Sequence, residues 1–324
     1  MTSKRLGYWL SLKKSRKLSL PDIEASLRSR DVEPVKIDLE KPLADQGPFD
    51  CILHKLTDYI AQAESGDQEA EFIISNVQEY SKQHPAMLVI DSIDCLRLLI
   101  NRFKTYGMID SATEFMQGTT FVPKFVALVS NDFNTNLKLL HDAGVTFPAV
   151  CKPVVAHGEN AHQMTLIFNE KGLHEIAFPC VVQSFINHNA VLYKLFTLGE
   201  KYFLIERPSI KNFHKCEEHA PIHFDGNEVS KANSINILTV QENSVEDRSI
   251  PKPHHEVLQL IVREIGKAMG LRLFGVDVVV DAVSGRYAIV DVNAFPGYDG
   301  VTDFSELLAD YIKQELDNQF CQTS

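Results

Sequence analysis

The chain is predicted to be an α/β layer followed by two α+β segments, and three observations carry that prediction. In the first hundred residues, short apolar runs alternate with longer stretches whose apolar residues recur every three or four positions. That order is the pattern of a parallel sheet with crossover helices. From about residue 110 a helix is followed by closely spaced strand-like runs, and the last third holds two hairpin signals, with Gly199 and Gly285 at the turns. With 324 residues and 44% hydrophobic content the chain can bury a large core. It divides into an N-terminal α/β domain (1–100), a central α+β segment (101–187) and a C-terminal α+β segment (188–324).

Taken in order, "RLGYWL", "PVKIDL", "DCILHKL" and "AMLVID" are expected strands. "DIEASLRSR", "EAEFIISNVQEYSKQ" and "SIDCLRLLINRFKTYGM" are expected helices. "NTNLKLLHDAG" has a helical period ending at Gly144, and "FPAVCKPV", "MTLIFN" and "CVVQSFI" follow as strands. "VLYKLFTLGEKYFLIERPS" is a hairpin. Residues 212–251 are polar and irregular and are expected to form a mobile loop region. "HHEVLQLIVREIGKAMG" is an amphipathic helix stopped at Gly270, "FGVDVVVDAVSGRYAIVDVN" is a hairpin, and "DFSELLADYIKQEL" closes the chain as a helix.

A net charge of −11 argues against a broad nucleic-acid face, while leaving room for a local cationic pocket. Six scattered cysteines without a C-x-x-C pair read as reduced thiols of a cytoplasmic protein. "LGYWLSL" is too short for a signal peptide, and no apolar run approaches the roughly 18 residues of a membrane span. Nothing suggests an obligate interface, so a monomer is expected.

The chemistry begins in the last hairpin. Asp277 and Asp291 lie seven residues before and after Ser284, so pairing sets them opposite one another to within one residue of register. Asp291 and Asn293 are two apart and emerge on the same face. Two carboxylates and an amide so close together repel unless a cation joins them, and all-oxygen ligation suits Mg²⁺ completed by phosphate and water. Any one of these acids could simply end a strand in solvent; three on apolar strands favour the metal.

Lys152 in "AVCKPVV" and Lys194 in "AVLYKLF" stand inside apolar strands. Either could snorkel from an edge strand, but two in consecutive segments point to nucleotide phosphates. Between them, "VAHGENAH" holds Gly158 in a small-residue loop able to approach phosphate with backbone N–H groups. His157 and His162 flank it as anion donors or as ordinary surface histidines. No G-x-x-x-x-G-K-[ST] string occurs, which excludes a Walker loop. Lys13, Lys14, Arg16 and Lys17 follow the first strand, where α/β folds bind ligands, although a solvated helix face is the plainer reading.

In order along the chain, "GYWLSLKKSRKL", "ILHKLTD", "KPVVAHGENAHQM", "CVVQSFINHNAVLYKLFTLGEKY", "RPSIKN", "LFGVDVVVD" and "VDVNAFPGYDGV" resemble the inositol-tetrakisphosphate 1-kinases, also called inositol 1,3,4-trisphosphate 5/6-kinases. The resemblance runs from about Leu6 to the final helix and implies an ATP-grasp fold, with ATP between the central and C-terminal α+β subdomains. It makes Asp277, Asp291 and Asn293 the ligands of Mg²⁺, with two ions expected. It places Arg102, Lys152, Gln183, Phe185, Ile186, Lys194, Ser209 and Ser230 around ATP, the segment from Gln183 to Lys194 framing adenine largely through its backbone. It places Lys14, His157, Gly158, His162, Lys194, Arg207, Asn293 and Gly297 around the inositol phosphate, with Lys194, Asp291 and Asn293 closest to catalysis. Residues 213–229 depart from the family pattern.

The activity this implies is direct in-line transfer of the γ-phosphate to a ring hydroxyl, of inositol 1,3,4-trisphosphate at the 5- or 6-position or of inositol 3,4,5,6-tetrakisphosphate at the 1-position. Bound polyphosphate is expected to raise the pKa values of the neighbouring histidines. The alternatives are an ATP-grasp carboxylate–amine ligase, a non-catalytic inositol-phosphate-binding protein, and a plain structural α/β domain.

Overall fold

A computed structural model describes residues 3–323 except 117, 159, 232–236 and 240–251. The N-terminal layer is a four-stranded sheet of Lys4–Trp9, Val32–Lys36, Cys51–His54 and Leu88–Ile90, with the second strand outermost beside the first. Every pairing in it is parallel, so all four carboxyl ends face one way. Crossover helices Leu20–Arg28 and Gln68–Gln83 cover it, the latter capped by the Asp67 carboxylate accepting from the Ala70 N–H at 3.0 Å.

The central sheet runs Ile222–Asp225, Gln163–Ile167, Ala149–Pro153, Cys180–Ser184, Phe125–Leu128, antiparallel throughout. The C-terminal sheet runs Lys201–Pro208, Val191–Leu198, Phe274–Val280, Tyr287–Ala294, Thr120–Phe121, antiparallel but for its last pair. Helix His255–Met269 buries Leu258, Ile261, Val262, Ile265 and Met269, spaced three and four apart as the apolar stripe requires. Complete burial of Ile261 and Ile265 contributes roughly 1.5–3 kcal/mol each. The helix stops where Gly270 turns left-handed at φ +65°.

One apolar core joins Ile52, Ile60 and Ile74 of the N-terminal layer to Tyr106, Ile109, Val276 and Ile289. The central sheet has its own core of Leu128, Leu140, Cys151, Ile167 and Val182. The N-terminal and C-terminal units therefore share packing, and Val181 and Phe125 of the central sheet join that same core.

Three local expectations are corrected. Residues 92–108 form two helices, Ile93–Leu98 and Arg102–Thr113, because Asn101 leaves the helix to cap the second one and bridges to Val155. The 212–251 region is not wholly irregular: Ile222–Asp225 adds an edge strand to the central sheet and Gly226–Val229 a helical turn. Most of the remainder of that region falls outside the described residues. Helix Thr57–Glu64 also forms where no helix is expected, while Leu12–Lys17, capped by the Ser11 hydroxyl, is the helix that the Lys13–Lys17 charge run suggests. Among the described residues no helix is long and apolar enough to cross a membrane.

Candidate active site

Register places Asp277 directly across from Asp291. Just beyond that pair the ladder jumps from Asp277–Asp291 to Val278–Ile289, which leaves Val290 as a bulge residue. Asp291 Oδ1 accepts from the Val292 N–H at 3.0 Å, and Asn293, paired with Gly275, is exposed on the same face. Lys194, one strand over and paired with Asp277 in register, donates to both Asp277 oxygens at 3.0 and 2.8 Å. A cation and three oxygen-bearing groups thus converge at one end of the hairpin.

Lys152 reaches the same place from the central sheet. Its neighbour Cys151 points into the central core, so the two-residue period of the strand turns Lys152 the other way. The ammonium, 7% exposed, donates to Tyr106 Oη at 2.9 Å, Gln183 Oε1 at 2.9 Å and the Val290 carbonyl at 3.0 Å. Burial lowers its pKa to about 8, against the pull of Asp291 and Asp277 in the other direction. Gln183 is buried and its Nε2 has no partner.

Arg102 stands at the start of its helix, 2% exposed. One terminal nitrogen donates to the Pro153 carbonyl at 2.6 Å and the Val155 carbonyl at 3.3 Å, the other to the Ala161 carbonyl at 2.8 Å. It therefore ties down both ends of the loop holding His157 and Gly158. Gly158 adopts φ +95° with open space where a side chain would begin. His157 lies 3.9 Å from Asp58, and burial followed by the charge of Lys55 depresses its pKa to about 4. Burial and Arg102 lower that of His162 as well.

Residues 185–190 form the connection between the central and C-terminal sheets. The Phe185 N–H is spent on the Pro148 carbonyl at 2.8 Å and its ring packs against Phe213. The Ile186 carbonyl accepts from His188 Nδ1 at 2.6 Å. The depressed pKa of His188, about 4 through burial, keeps the ring neutral, so its Nε2 accepts the Ser209 hydroxyl proton at 2.7 Å. Asn212 Oδ1 accepts from the N–H groups of His188 and Asn189. Ser209 is thus tied to the 185–190 connection by His188, whose backbone Asn212 holds in turn, and the sequence alone suggests no individual role for either residue. Ser230 donates to the Gly226 carbonyl at 3.2 Å, and Gly226 in turn donates its N–H to the His162 carbonyl at 2.9 Å.

Lys14 is not on a solvated face. It is 7% exposed, sits 4.2 Å from the Phe295 ring centroid, and donates to the Phe295 carbonyl at 2.6 Å and to the Pro296 carbonyl. Lys55, also without a role assigned from sequence, donates to the Ala294 and Phe295 carbonyls at 3.2 and 3.1 Å. The signal that could have found it is its place immediately after a parallel strand, the same as for the Lys13–Lys17 run. Burial, then mutual repulsion, lowers the Lys14 pKa well below the usual lysine range; burial brings that of Lys55 to about 8. Lys17 pairs with Asp299 at 2.7 Å, and a side chain at Gly297 would land on Lys17. Arg207 holds the Asp299 carbonyl at 2.6 Å. The turn after Asn293 is therefore ringed by cations in a protein that is acidic overall.

The donor set can be tested against a metal. No group of three His, Cys, Asp or Glu suited to a metal occurs among the described residues. Two carboxylates and one amide fall short of a complete protein cage, as Zn²⁺ or Ca²⁺ sites usually require, but they match Mg²⁺, which takes one or two carboxylates and completes its octahedron with water and phosphate.

Residues 115–314 match the inositol 1,3,4-trisphosphate 5/6-kinase ATP-grasp domain and residues 5–96 the pre-ATP-grasp domain of the same family. The chain is 42% identical over 320 residues to inositol-tetrakisphosphate 1-kinase of Danio rerio, covering 98% of this chain and 80% of that protein. It is 41% identical over 314 residues to the Xenopus laevis enzyme of that name, covering 96% and 79%. Among solved structures, D-cycloserine synthetase DcsG superposes with a TM-score of 0.61 at 13% identity over 96% of this chain and 99% of that one. D-alanine–D-alanine ligase of Bacillus anthracis complexed with ATP gives 0.56 at 14% identity over 100% of each chain. At such identities these two speak for the ATP-grasp fold alone.

Proposed function

The chain belongs to the inositol 1,3,4-trisphosphate 5/6-kinase family and is an ATP-dependent inositol phosphate kinase of the ATP-grasp fold, and on that premise we propose which substrates it takes and which residues act on them. The acceptor is inositol 1,3,4-trisphosphate, phosphorylated at the 5- or 6-position, or inositol 3,4,5,6-tetrakisphosphate, phosphorylated at the 1-position. The observation that supports this most is the convergence of Lys152 and Lys194, from two sheets, on the Asp277–Asp291–Asn293 hairpin beside a cation-ringed turn. Residues 1–100, 101–187 and 188–324 act as three units, with ATP between the second and third. The protein works as a cytoplasmic monomer.

Asp277, Asp291 and Asn293 hold two Mg²⁺ ions, which when bound offset the negative charge building on the ATP phosphates. Lys152 and Lys194 give up protein acceptors to donate to those phosphates, and Arg102 keeps the 153–161 loop closed over them. Gln183, Phe185, Ile186, Ser209 and Ser230 line the nucleotide. Lys14, Lys55, His157, His162, Arg207 and Lys194 meet the acceptor phosphates, and Gly158 and Gly297 let them approach the backbone. A bound polyphosphate raises the histidine pKa values that burial has depressed, which turns neutral rings into charged donors. The ring hydroxyl forms its bond to the γ-phosphorus as the bond to the ADP oxygen opposite breaks, and the hydroxyl proton is released to solvent; alignment and electrostatics supply most of the rate.

The test is turnover with Mg-ATP and each acceptor, separating products by isomer, with mixed amino acids as the control. ADP release with a more highly phosphorylated inositol is expected. ADP release driven only by amino acids would refute the proposal in favour of ligase chemistry.

A further inference from the structure

Lys152 spends all three ammonium protons on three different elements: helix Arg102–Thr113 through Tyr106, the central sheet through Gln183, and the bulge of the metal-bearing hairpin through the Val290 carbonyl. The first of these is unusual. Tyr106 is completely buried, and its ring lies edge-on to Phe125 at 5.5 Å and under the ammonium at 5.2 Å. Packing on both sides fixes its hydroxyl. Phenylalanine would fill the same apolar space, so shape alone does not require tyrosine there. The oxygen's contribution is to accept from Lys152 at 2.9 Å, with the Arg102 guanidinium also acting on it.

We propose that Tyr106 is a positioning residue for phosphoryl transfer: its hydroxyl holds the Lys152 ammonium at the junction of the two sheets, aimed at the nucleotide phosphates and braced against the bulge that presents Asp291. The bulge gives the bracing its meaning. Val290 is the residue left without a partner across the hairpin, so Lys152 supplies a donor to its carbonyl, one residue before Asp291. A lysine side chain has four rotatable bonds and loses about 1.5–2 kcal/mol of rotamer entropy when fixed. Tyr106, on a helix packed against His255–Met269, sets it in advance of nucleotide binding. The charges facing the ammonium are Asp291 and Asp277 from the hairpin and Arg102 from the helix.

The proposal rests on Lys152 meeting the nucleotide phosphates, and the experiment separates the two claims. ATP and adenosine affinities are measured by calorimetry, alongside thermal melts, for Tyr106→Phe, Lys152→Met and the double variant. ATP affinity is expected to fall by about tenfold in Tyr106→Phe, the loss of one hydrogen bond to a charged group, while adenosine affinity holds. In the Lys152→Met background the tyrosine change should then cost no further ATP affinity, whatever it does to Tm. Equal losses in both backgrounds, or a parallel loss of adenosine affinity, would reduce Tyr106 to a packing residue and overturn the proposal. Undiminished ATP affinity in Lys152→Met would instead remove the nucleotide role of Lys152, and the proposal with it.

Discussion

Replacing Arg102 with lysine keeps the charge and removes the fork. The guanidinium uses two separate nitrogens to reach carbonyls at Pro153 and Val155 on one side and Ala161 on the other. A single ammonium on a shorter stem reaches one side only. At least one hydrogen bond from a charged donor is lost, about 1.5–3 kcal/mol, and the buried bond to the Ala161 carbonyl is the most exposed to that loss. If closing the 153–161 loop is a condition of nucleotide binding, that cost appears as a roughly 10- to 100-fold weaker ATP affinity. Calorimetry gives the affinity, and amide hydrogen exchange over residues 154–162 should accelerate in parallel. ATP affinity within twofold of the parent, with exchange unchanged, would show that the loop is held by something other than Arg102 and refute the reasoning.

Four further outcomes are expected. Asp291→Ala should reduce turnover by about a thousandfold, the scale of losing metal charge stabilisation, with the thermal melt little changed because the side chain faces the site; near-normal activity would defeat the metal assignment. Lys14→Ala should raise the KM for the inositol phosphate well above any change in the KM for ATP, and an equal rise in both would move Lys14 out of the acceptor site. The KM for ATP should be flat below pH 8 and climb above it, because Lys152, lowered from its ordinary 10.5 to about 8, loses the charged form that holds phosphate. The unfolded chain binds that proton up to the ordinary value, so the Lys152 contribution to stability rises over the same interval, and a KM that climbs while Tm does not fall separates titration from unfolding. Gly270→Ala should lower stability by about 1–2 kcal/mol, since φ is +65° and the new methyl would sit 2.8 Å from Cys95 Sγ; an unaltered melting temperature would count against this.

Periodicity and turn chemistry made most elements legible from sequence, because they act over a few residues. The Asp277–Asp291 register followed from equal distances to one turn, and the His255–Met269 stripe from its three- and four-residue spacing. Where those local rules competed with distant partners they failed. Residues 92–108 carry a continuous helical period, yet Asn101 turns aside to pair with Val155, 54 positions further on. Ile222–Asp225 reads as loop and becomes a strand because Gln163–Ile167 offers it an edge.

The same division runs through the site. Residue type and position along an apolar strand were enough to single out Asp277, Asp291, Asn293, Lys152 and Lys194, since a charge inside such a run is costly unless it has a purpose. Lys14 could not be separated by sequence from the surface lysines around it, because its burial depends on the Phe295–Pro296 carbonyls some 280 residues away. Tyr106 carries no local mark, Lys55 only its place after a parallel strand, and His188 only its place within the segment that frames adenine. An aromatic in a helix, a lysine after a strand and a histidine in a turn are ordinary until the fold brings Lys152, the 294–295 carbonyls and Ser209 against them. The sequence by itself determined most of the elements and which charged groups are out of place in them. Tertiary structure decided who partners whom, because a hydrogen bond depends on ångström-scale placement that no local period encodes.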